Sequence, residues 1–433
     1  MDSKLKRLTI SCMVFLTLLV LLFVVYLNRS RLERREDSQD EQNSQQVAQE
    51  QKETFEGTRI GNDLSAFLND EAFFDKEKSK YEQYLEQKNT LSMILTSIEK
   101  DLRIKIVNFD GNVVTGESFT VDVAGKGEYT DTDQDGIIYI PYLKSGDYMV
   151  SLQKQEGYTV PENAARVNVK EQVEYIAIED ISMLIKTEDE IDPSVDDTEL
   201  KDVSDDTDRT EVKKLRSPDE NAHIGIDVSK WNRDIDWEKV KEAGVEFVII
   251  RCGYRGSTTG SLVIDPYFEK NMHGAQAAGL NVGVYFFTQA INEVEAVEEA
   301  SMVLSLIENQ YLTYPVFIDT EGAGGNGRAD ALDVETRTAV CKAFCDTILN
   351  AGYGSGVYAS KNWYNNRLHT QELEKYAIWM AEYREVPTYE GYYNMWQYTS
   401  KGKVDGIEGN VDLDISYIDI YAGQETDRKN KTQ

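Results

Sequence analysis

Cysteine and histidine are scarce in this chain, which has four and three of them among 433 residues. Four scattered cysteines do not form a disulfide framework. Cys341 and Cys345 could pair or bind a metal, but without clustered histidines their spacing favours two small buried side chains on one helix face. The histidines, His223, His273 and His369, make no ligand set, so the sequence implies no metal and no organic cofactor.

Basic residues are also in the minority, because 46 lysines and arginines accompany 77 acidic residues and the formal net charge is -31. Binding to nucleic acid requires clustered positive charge against the phosphates, and this chain shows no such cluster. The composition therefore argues against a nucleic-acid-binding function. It fits a protein whose many negative charges repel each other and that works in an environment rich in ions. The length predicts roughly two or three folded units joined by linkers.

One long apolar run is present, from Leu8 to Leu27, and it has about the 20 residues that a helix needs to cross a bilayer. The run continues into Tyr26-Leu27-Asn28-Arg29 with no small-residue cleavage site, which favours a retained anchor over a cleaved signal. Basic residues flank the run on both sides and do not set its orientation. Residues 1–30 are therefore predicted to be a single-pass membrane anchor.

The next two segments differ in composition. Residues 31–57 are rich in Gln, Glu, Asp and Ser, so a polar spacer is predicted there. Within 58–101, apolar residues recur at helical spacing from Leu64 to Ile98, which predicts one or two amphipathic helices. Such helices need a partner surface, which a coiled-coil dimer, the next domain, or an envelope or secretion complex would provide.

Between residues 102 and 184 the apolar period changes to two, and a small antiparallel β-sandwich is predicted. The order of its strands and turns resembles prealbumin-like or Cna-B-like modules of surface proteins. Asp131, Asp133 and Asp135 have the spacing of a calcium loop, but position twelve of that loop is Tyr142 and not a bidentate Glu. A hairpin turn is therefore favoured at this place.

Residues 185–221 are dominated by Asp and Glu and contain few apolar residues. Because like charges repel, this segment is predicted to stay extended as an acidic linker that holds the following domain away from the sandwich. A specific acidic ligand site is the weaker alternative.

Residues 222–422 carry eight strand-like runs, and helical stretches separate the first five of them. Strand, helix and strand joined by short turns indicate a parallel sheet, and eight strands predict a closed barrel. The predicted fold class is an irregular (β/α) TIM-like barrel preceded by a small antiparallel β-sandwich, a helical segment and an N-terminal transmembrane helix. A polar tail, 423–433, follows. The runs are 223–229, 247–253, 281–287, 315–321, 354–360, 376–383, 393–399 and 410–418.

Four carboxylates occupy the strand ends of this region. Asp319 and Glu321 are two residues apart in a strand-like run, so their side chains project from the same side. Paired carboxylates disfavour each other's ionised form, which keeps one protonated as the general acid that glycosidic bond cleavage needs. Asp227 lies near the end of the first strand and Asp412 in the last strand. Because catalytic groups of such barrels sit at the C-terminal ends of strands, the four acids are predicted to meet at one mouth.

Aromatic residues accompany the acids. Pyranose rings stack on aromatic faces while carboxylates bind the sugar hydroxyls, so the combination predicts a sugar-binding cleft. The predicted substrate-binding residues are Arg251, Tyr254, Tyr285, Phe287, Tyr358, Tyr383, Trp396 and Tyr398.

Six motifs occur in order: Gly225-Ile226-Asp227-Val228-Ser229, Phe247-Val248-Ile249-Ile250-Arg251, Gly283-Val284-Tyr285-Phe286-Phe287, Asp319-Thr320-Glu321, Trp396-Gln397-Tyr398 and Gly409-Asn410-Val411-Asp412-Leu413. Together they resemble glycoside hydrolase family 25, the muramidases also called Chalaropsis-type lysozymes. The resemblance covers His223 to Tyr421 and implies an irregular barrel that cleaves peptidoglycan at the β-1,4 bond from N-acetylmuramic acid to N-acetylglucosamine. Phe286 stands where many members have His, and Trp231-Asn232 where others have His-Gln or Tyr-Gln, which bears on subsite preference.

The resemblance also implies roles for the four acids. Glu321 would protonate the leaving oxygen, and Asp319 would orient the acetamido group of the substrate or stabilise developing positive charge. Asp227 and Asp412 would complete the acidic floor. Retention, inversion and attack by the substrate's own acetamido group stay open.

Location follows from the implied substrate. Peptidoglycan lies outside the cytoplasmic membrane, so the expected location is the outer face of that membrane, with the short N-terminus inside. The alternative function is a catalytically inactive module that binds the cell wall or organises an envelope complex. A hydrolase of another envelope polysaccharide is a third possibility.

Overall fold

The structure is a computed structural model that describes residues 87–197, 221–308 and 310–419. These residues belong to one compact unit, whose first residue is Glu82. The predictions for the membrane anchor, the polar spacer, most of the helical segment, most of the acidic linker and the polar tail lie outside the described residues. The predicted domain boundaries stay predictions.

Seven strands form two antiparallel sheets in the N-terminal part of the described chain. The strands are β1 (Leu91–Thr96), β2 (Leu102–Asn108), β3 (Thr120–Val123), β4 (Gly127–Thr130), β5 (Ile137–Ile140), β6 (Gly146–Leu152) and β7 (Ala165–Val169). One sheet has the order β1-β2-β5 and the other the order β4-β3-β6-β7. Alternate residues of both sheets, such as Ile104 and Val121, are buried in a common core.

β1 corrects part of the predicted helical segment. Residues 91–96 pair with β2 in antiparallel register, Leu91 opposite Asn108 and Thr96 opposite Arg103. Leu91 packs in the core between the two sheets, whereas Ile94 packs in the core of the C-terminal part. A strand buried on both faces carries apolar residues on both sides, and here they imitated the spacing of a helix.

The strands of the C-terminal part are β8 (Ile185–Lys186), β9 (His223–Val228), β10 (Phe247–Arg255), β11 (Leu262–Ile264), β12 (Asn281–Phe287), β13 (Val316–Asp319), β14 (Ser355–Ser360), β15 (Ala377–Ala381), β16 (Met395–Gly402) and β17 (Val411–Ser416). All but β8 and β11 close into an eight-stranded barrel in the order β9-β10-β12-β13-β14-β15-β16-β17, in which β12 also pairs with β10 and β17 with β9. Neighbouring strands are parallel except at β17, which is antiparallel to both β16 and β9.

Helices connect most of the barrel strands. They are α2 (Trp237–Glu242), α3 (Phe268–Ala277), α4 (Glu293–Leu306), α5 (Val334–Asn350), α6 (Lys361–Asn366) and α7 (Thr370–Leu373), while α1 (Pro193–Asp196) precedes the barrel. Asp236, Asn292 and Asp333 cap the N-termini of α2, α4 and α5 by accepting backbone N–H bonds. Apolar residues of these helices, such as Val297 and Phe344, pack against the outer face of the barrel.

The predicted fold class, a barrel with a parallel sheet, is wrong in one respect: β17 is antiparallel to both of its neighbours. As the scarcity of helical stretches after the fifth run predicts, no helix lies between β15 and β16 or between β16 and β17 in the described chain. The connection 403–410 is too short for a parallel crossover and joins antiparallel strands instead. Within the described residues, which begin after the predicted anchor, none of the helices is long and apolar enough to span a bilayer.

The inside of the barrel is filled by large aromatic side chains. Trp379 lies among them, with its ring centroid 4.6 Å from that of Tyr358 and 5.2 Å from that of Phe317. Glycines make room for these rings: a Cβ added at Gly225 would lie 2.3 Å from the ring of Phe247. The inside of the barrel is therefore a packed core of aromatic side chains, and its polar groups concentrate at one end.

The described part of the predicted acidic linker differs from its prediction. This part, residues 185–197, is here called the strap and lies on the barrel instead of staying extended. β8 pairs in parallel with β11, and Ile191 packs against buried apolar residues of the barrel, Tyr254 and Phe287 among them. The strap ends in α1, where Asp192 caps the helix and Pro193 occupies its first turn.

Candidate active site

The four predicted acids lie at one end of the barrel, where the parallel strands end and the antiparallel strand β17 begins. Asp227 in β9 and Asp412 in β17 are directly opposite each other in the antiparallel register. Asp319 is the last residue of β13, and Glu321 follows two residues later. All four side chains are buried, although they belong to strands far apart in the sequence. The barrel thus brings Asp227 and Asp412, which face each other on neighbouring strands, to the same end as Asp319 and Glu321.

Tyr358 connects the two pairs of acids. It stands in β14 beside Asp319, its register partner in β13. Burial raises the pKa of Tyr358 well above its ordinary value, and Tyr383 together with the negative charges of Glu321, Asp319 and Asp227 acts in the same direction. Its hydroxyl therefore stays a hydrogen-bond donor inside the ring of carboxylates.

Gln397 is a site residue without a role predicted from the sequence, although it belongs to the motif Trp396-Gln397-Tyr398. Its side-chain Nε2 donates to Oδ2 of Asp227 at 2.6 Å. Its Oε1 accepts the hydroxyls of Tyr358, at 2.8 Å, and Tyr383, at 2.9 Å. The signal available in the sequence was its place between two aromatic residues in a strand-like run, where its side chain must point to the face opposite theirs.

Asp414 is a second site residue without a role predicted from the sequence. It lies on the same face of β17 as Asp412, and its Oδ1 accepts the indole N–H of Trp379 at 2.8 Å. Burial raises the pKa of Asp414 well above its ordinary value, and the charges of Asp227 and Asp412 add to this effect, while the bond from Trp379 opposes it. The period-two spacing of Asp412 and Asp414 was the signal that could have identified it.

A cavity of about 340 Å³ opens at this end of the barrel. Trp231 stands at its edge with 61% of its surface exposed, and the ammonium of Lys230 lies 4.8 Å from its ring centroid. An exposed aromatic face beside buried carboxylates is the arrangement that binds a pyranose ring. The cavity is lined by Asp227, Ser229, Trp231, Asn232, Tyr285, Ser400, Asn410 and Asp412.

Three of the predicted substrate-binding residues lie inside the barrel near the acids. Tyr285 lines the cavity, and Tyr358 and Tyr383 contact Gln397. All three belong to the aromatic cluster that fills the barrel.

Another three lie against the strap. The guanidinium of Arg251 binds Asp197 of the strap at 3.1 and 3.2 Å and Asp265 at 2.7 Å. The hydroxyl of Tyr254 donates to Glu188 at 3.2 Å, and Phe287 is fully buried in the same cluster as Ile191. The strap therefore covers these positions, which the sequence predicted to face a substrate.

Trp396 and Tyr398 are not brought next to the acids. Because Gln397 points inward, its neighbours in β16 point outward, and both pack against the core between barrel and helices. The indole N–H of Trp396 donates to the backbone oxygen of Glu382 at 2.8 Å. Trp396 therefore packs on the outer side of the barrel, between its strands and the helices.

The arrangement is suited to acid–base chemistry on a neutral, hydroxyl-rich ligand. Buried carboxyl groups that interact lose their protons one after another as pH rises. One group can therefore donate a proton while another is ionised. Among the described residues, one set of acidic side chains lies close enough to share a cation, Asp131, Asp133 and Asp135, and it is in the sandwich. There Asp131 accepts the backbone N–H groups of Gln134 and Gly136, at 2.8 and 2.9 Å, and closes a turn.

Comparisons with known proteins concern the barrel. Residues 226–407 match the family model of the glycosyl hydrolases family 25. The autolytic lysozyme of Clostridium acetobutylicum is 29% identical over 200 residues, which cover 46% of this chain and 57% of that protein. Lysozyme M1 of Streptomyces globisporus is 26% identical over 198 residues, covering 43% and 65%. The uncharacterized protein YegX of Escherichia coli K12 is 26% identical over 203 residues, covering 46% and 72%.

Proposed function

We propose that this enzyme, a glycoside hydrolase of the lysozyme type, cleaves the β-1,4 bond between N-acetylmuramic acid and N-acetylglucosamine in peptidoglycan. The observation that carries the proposal is the set of four buried carboxylates at the open end of the barrel, next to a cavity of about 340 Å³. The family match and the two lysozymes support the class of reaction. The chain spans 57% and 65% of those lysozymes, so substrate and bond are proposed for this chain and not taken from them.

In this proposal Glu321 is the general acid that protonates the leaving oxygen. It lies two residues after Asp319, the last residue of β13, and is buried as Asp319 is. A carboxyl group in a desolvated place near another negative charge favours its protonated form, which a general acid requires at neutral pH. Asp319 orients the acetamido group of the substrate or stabilises the positive charge that develops on the sugar.

Asp227 and Asp412 form the other side of the site. They face each other across β9 and β17 and both line the cavity. Their oxygens are placed to accept the hydroxyls of a sugar ring, while Tyr285 and the exposed face of Trp231 offer surfaces for stacking. The resulting site binds a sugar between an acidic wall and aromatic rings.

The first test uses the full-length chain, because the strap is part of the barrel surface. Wild type and the Glu321→Gln variant are incubated with peptidoglycan, and new reducing ends are identified. We expect N-acetylmuramic acid ends from wild type, and with Glu321→Gln a rate at least 100-fold lower, since general acid catalysis contributes about 10² to 10⁴ in rate.

The matched control is Glu374→Gln, which changes an exposed acid just before β15, at the barrel end remote from the site. It should release fragments at the wild-type rate. New N-acetylglucosamine ends would contradict the proposed bond. Wall binding without any release by wild type would favour the inactive binding module.

A location outside the cytoplasmic membrane is also proposed, because peptidoglycan lies there. Attachment to the membrane and contact with envelope or secretion partners stay predictions from the sequence. Cell fractionation tests the attachment to the membrane. Wild type is compared with a chain whose residues 1–30 are replaced by a cleaved signal. Equal distribution of the two proteins between membrane and medium would contradict attachment through that segment.

A further inference from the structure

We propose that Gln397 is a positioning residue that holds Asp227 in one orientation and favours its ionised form during the reaction. The inference rests on the proposed function and adds a residue to the same site. It is carried by three hydrogen bonds of one buried amide, and it concerns a side chain outside the set of four acids.

The contacts of the Gln397 amide use both of its ends. Nε2 donates to Asp227 at 2.6 Å, and Oε1 accepts from Tyr358 at 2.8 Å and from Tyr383 at 2.9 Å. Gln397, Tyr358 and Tyr383 are all buried, so water does not readily replace any of these partners. The three partners come from β9, from β14 and from the segment after β15, and the amide joins them across the barrel.

The two tyrosines determine which way the amide points. An amide oxygen only accepts and an amide nitrogen only donates, so the end that receives two hydroxyl protons must be Oε1. Nε2 is then turned toward Asp227, whose ionised carboxylate only accepts. If the amide were reversed, oxygen would face oxygen at Asp227 and the hydroxyls would have to change their role. The network is therefore consistent with a single orientation and with an ionised Asp227.

Asp227 has two acidic neighbours on β17. Asp412 stands directly opposite it, and Asp414 follows two residues later on the same face and forms a side-chain hydrogen bond with Asp227. Burial and the charge of Asp227 raise the pKa of Asp414, so Asp414 favours its protonated form while Asp227 carries the charge. A short N–H bond from a neutral amide stabilises the ionised form of Asp227 without adding charge. Gln397 thus opposes the repulsion that Asp412 imposes on Asp227.

Two substitutions of Gln397 should act in opposite directions. Gln397→Leu removes the donor, so we expect kcat to fall about 10- to 100-fold, the factor that corresponds to losing one hydrogen bond to a charged group. The acid limb of its kcat/KM profile should move up by about one pH unit, because ionisation of Asp227 loses a charge-assisted bond. KM should change less than kcat, since the amide does not line the cavity.

Gln397→Glu keeps an acceptor for the two tyrosines and carries a donor only while the new carboxyl group is protonated. At low pH this carboxylic acid can donate to Asp227 and replace the amide. As pH rises the proton is lost, and the introduced carboxylate and Asp227 repel each other. We therefore expect this variant to lose activity on the alkaline side at a lower pH than wild type does. A merely structural role for Gln397 would not shift the two limbs in opposite ways.

The matched control is Gln289→Leu. Gln289 is equally buried, and its Oε1 accepts the backbone N–H of Ala329 at 3.2 Å. Loss of this amide should lower the thermal unfolding midpoint and leave both limbs of the pH profile in place. Circular dichroism of all variants establishes that the barrel is folded.

The experiment measures release of N-acetylmuramic acid ends from peptidoglycan by the full-length proteins over a range of pH. Opposite limb shifts for the Leu and Glu variants support the inference. Wild-type release with unchanged profiles in both variants would overturn the inference alone. No release by wild type would overturn the proposed function, and the inference with it.

Discussion

At the residue scale, the site depends on acids that the barrel forces close together. Asp414 is the clearest case, because burial raises its pKa well above its ordinary value and the charge of Asp227 adds to that shift. In the unfolded chain an aspartate has a pKa of about 3.9. Between that pH and its pKa in the folded state, the folded protein keeps a proton that the unfolded chain has released. The stability that Asp414 contributes is therefore present at low pH and lost as pH rises.

The substitution Asp414→Asn tests this pH dependence of the protein's stability. The asparagine carries no titrating proton and keeps an oxygen for the indole N–H of Trp379, which donates to Asp414 at 2.8 Å. We expect its thermal midpoint at pH 7 to exceed that of wild type by about 3 °C or more, and the difference to vanish near pH 4. Thermal unfolding followed by circular dichroism across this range measures it.

The control for Asp414→Asn is Asp405→Asn, which alters an exposed acid in the connection between β16 and β17. Its midpoint should follow that of wild type at every pH. If Asp414→Asn and wild type showed the same dependence on pH, ionisation of Asp414 would cost the folded state nothing.

At the scale of elements, the strap shows how an acidic segment becomes ordered. Asp197 binds Arg251 and also the ammonium of Lys230, at 2.7 Å, and its side chain has no exposed surface. Asp196 accepts the backbone N–H groups of Thr258 and Thr259, at 3.0 and 2.8 Å. Each buried carboxylate thus meets a cation or two amide donors, which offsets the loss of water.

Asp197→Asn should therefore destabilise the unit strongly. Breaking a buried ion pair leaves charge without its partner, and such changes cost about 3 to 5 kcal/mol. Since Arg251 keeps Asp265 and Lys230 keeps Glu188, we expect the lower end of this range. Chemical denaturation of the full-length protein measures the change in the free energy of unfolding.

Asp189→Asn is the matched control on the same strap, because Asp189 is exposed. A surface substitution of this kind changes the free energy of unfolding by less than about 0.5 kcal/mol. Equal effects of the two substitutions would show that charge on the strap, and not the buried contacts of Asp197, supports the fold.

At the scale of the whole unit, the sandwich and the barrel share a core. Ile94 and Val107 of the sandwich are buried in the same apolar cluster as the barrel's outer residues. Polar contacts add to it, because Lys105 pairs with Glu298 in α4 and Asn350 donates to the backbone oxygen of Tyr175 at 2.8 Å. The sandwich thus covers apolar surface that the barrel would otherwise expose.

Removing the sandwich and strap should therefore weaken the barrel. A fragment of residues 221–433 is expected to unfold at a lower temperature than residues 87–433 and to bind a dye that reports exposed apolar surface. Differential scanning fluorimetry and light scattering compare the two. Equal midpoints would mean that the shared core contributes little to the stability of the barrel.

Much of the barrel was accessible from sequence because its signals are local. Alternating apolar runs and helix caps occur within a few residues of each other, so strand segments such as 223–228 and 281–287 could be located along the chain. Asp227, Asp319, Glu321 and Asp412 could be placed at strand ends for the same reason. The helix expected near Leu91 was wrong because a strand buried on both faces has no alternation to reveal it.

By itself the sequence determined the order of strands and the position of each acid within its strand, since both depend on neighbouring residues. Only the tertiary structure decided which side chains face one another. Closure of β17 against β9 put Asp412 opposite Asp227, and the barrel interior turned Gln397 toward the acids while Trp396 turned away. The strap lies on the barrel because its carboxylates meet Arg251 and Lys230, partners more than thirty residues away in the chain. Charge pairing between residues far apart in the chain acts through space, so no local pattern encodes it.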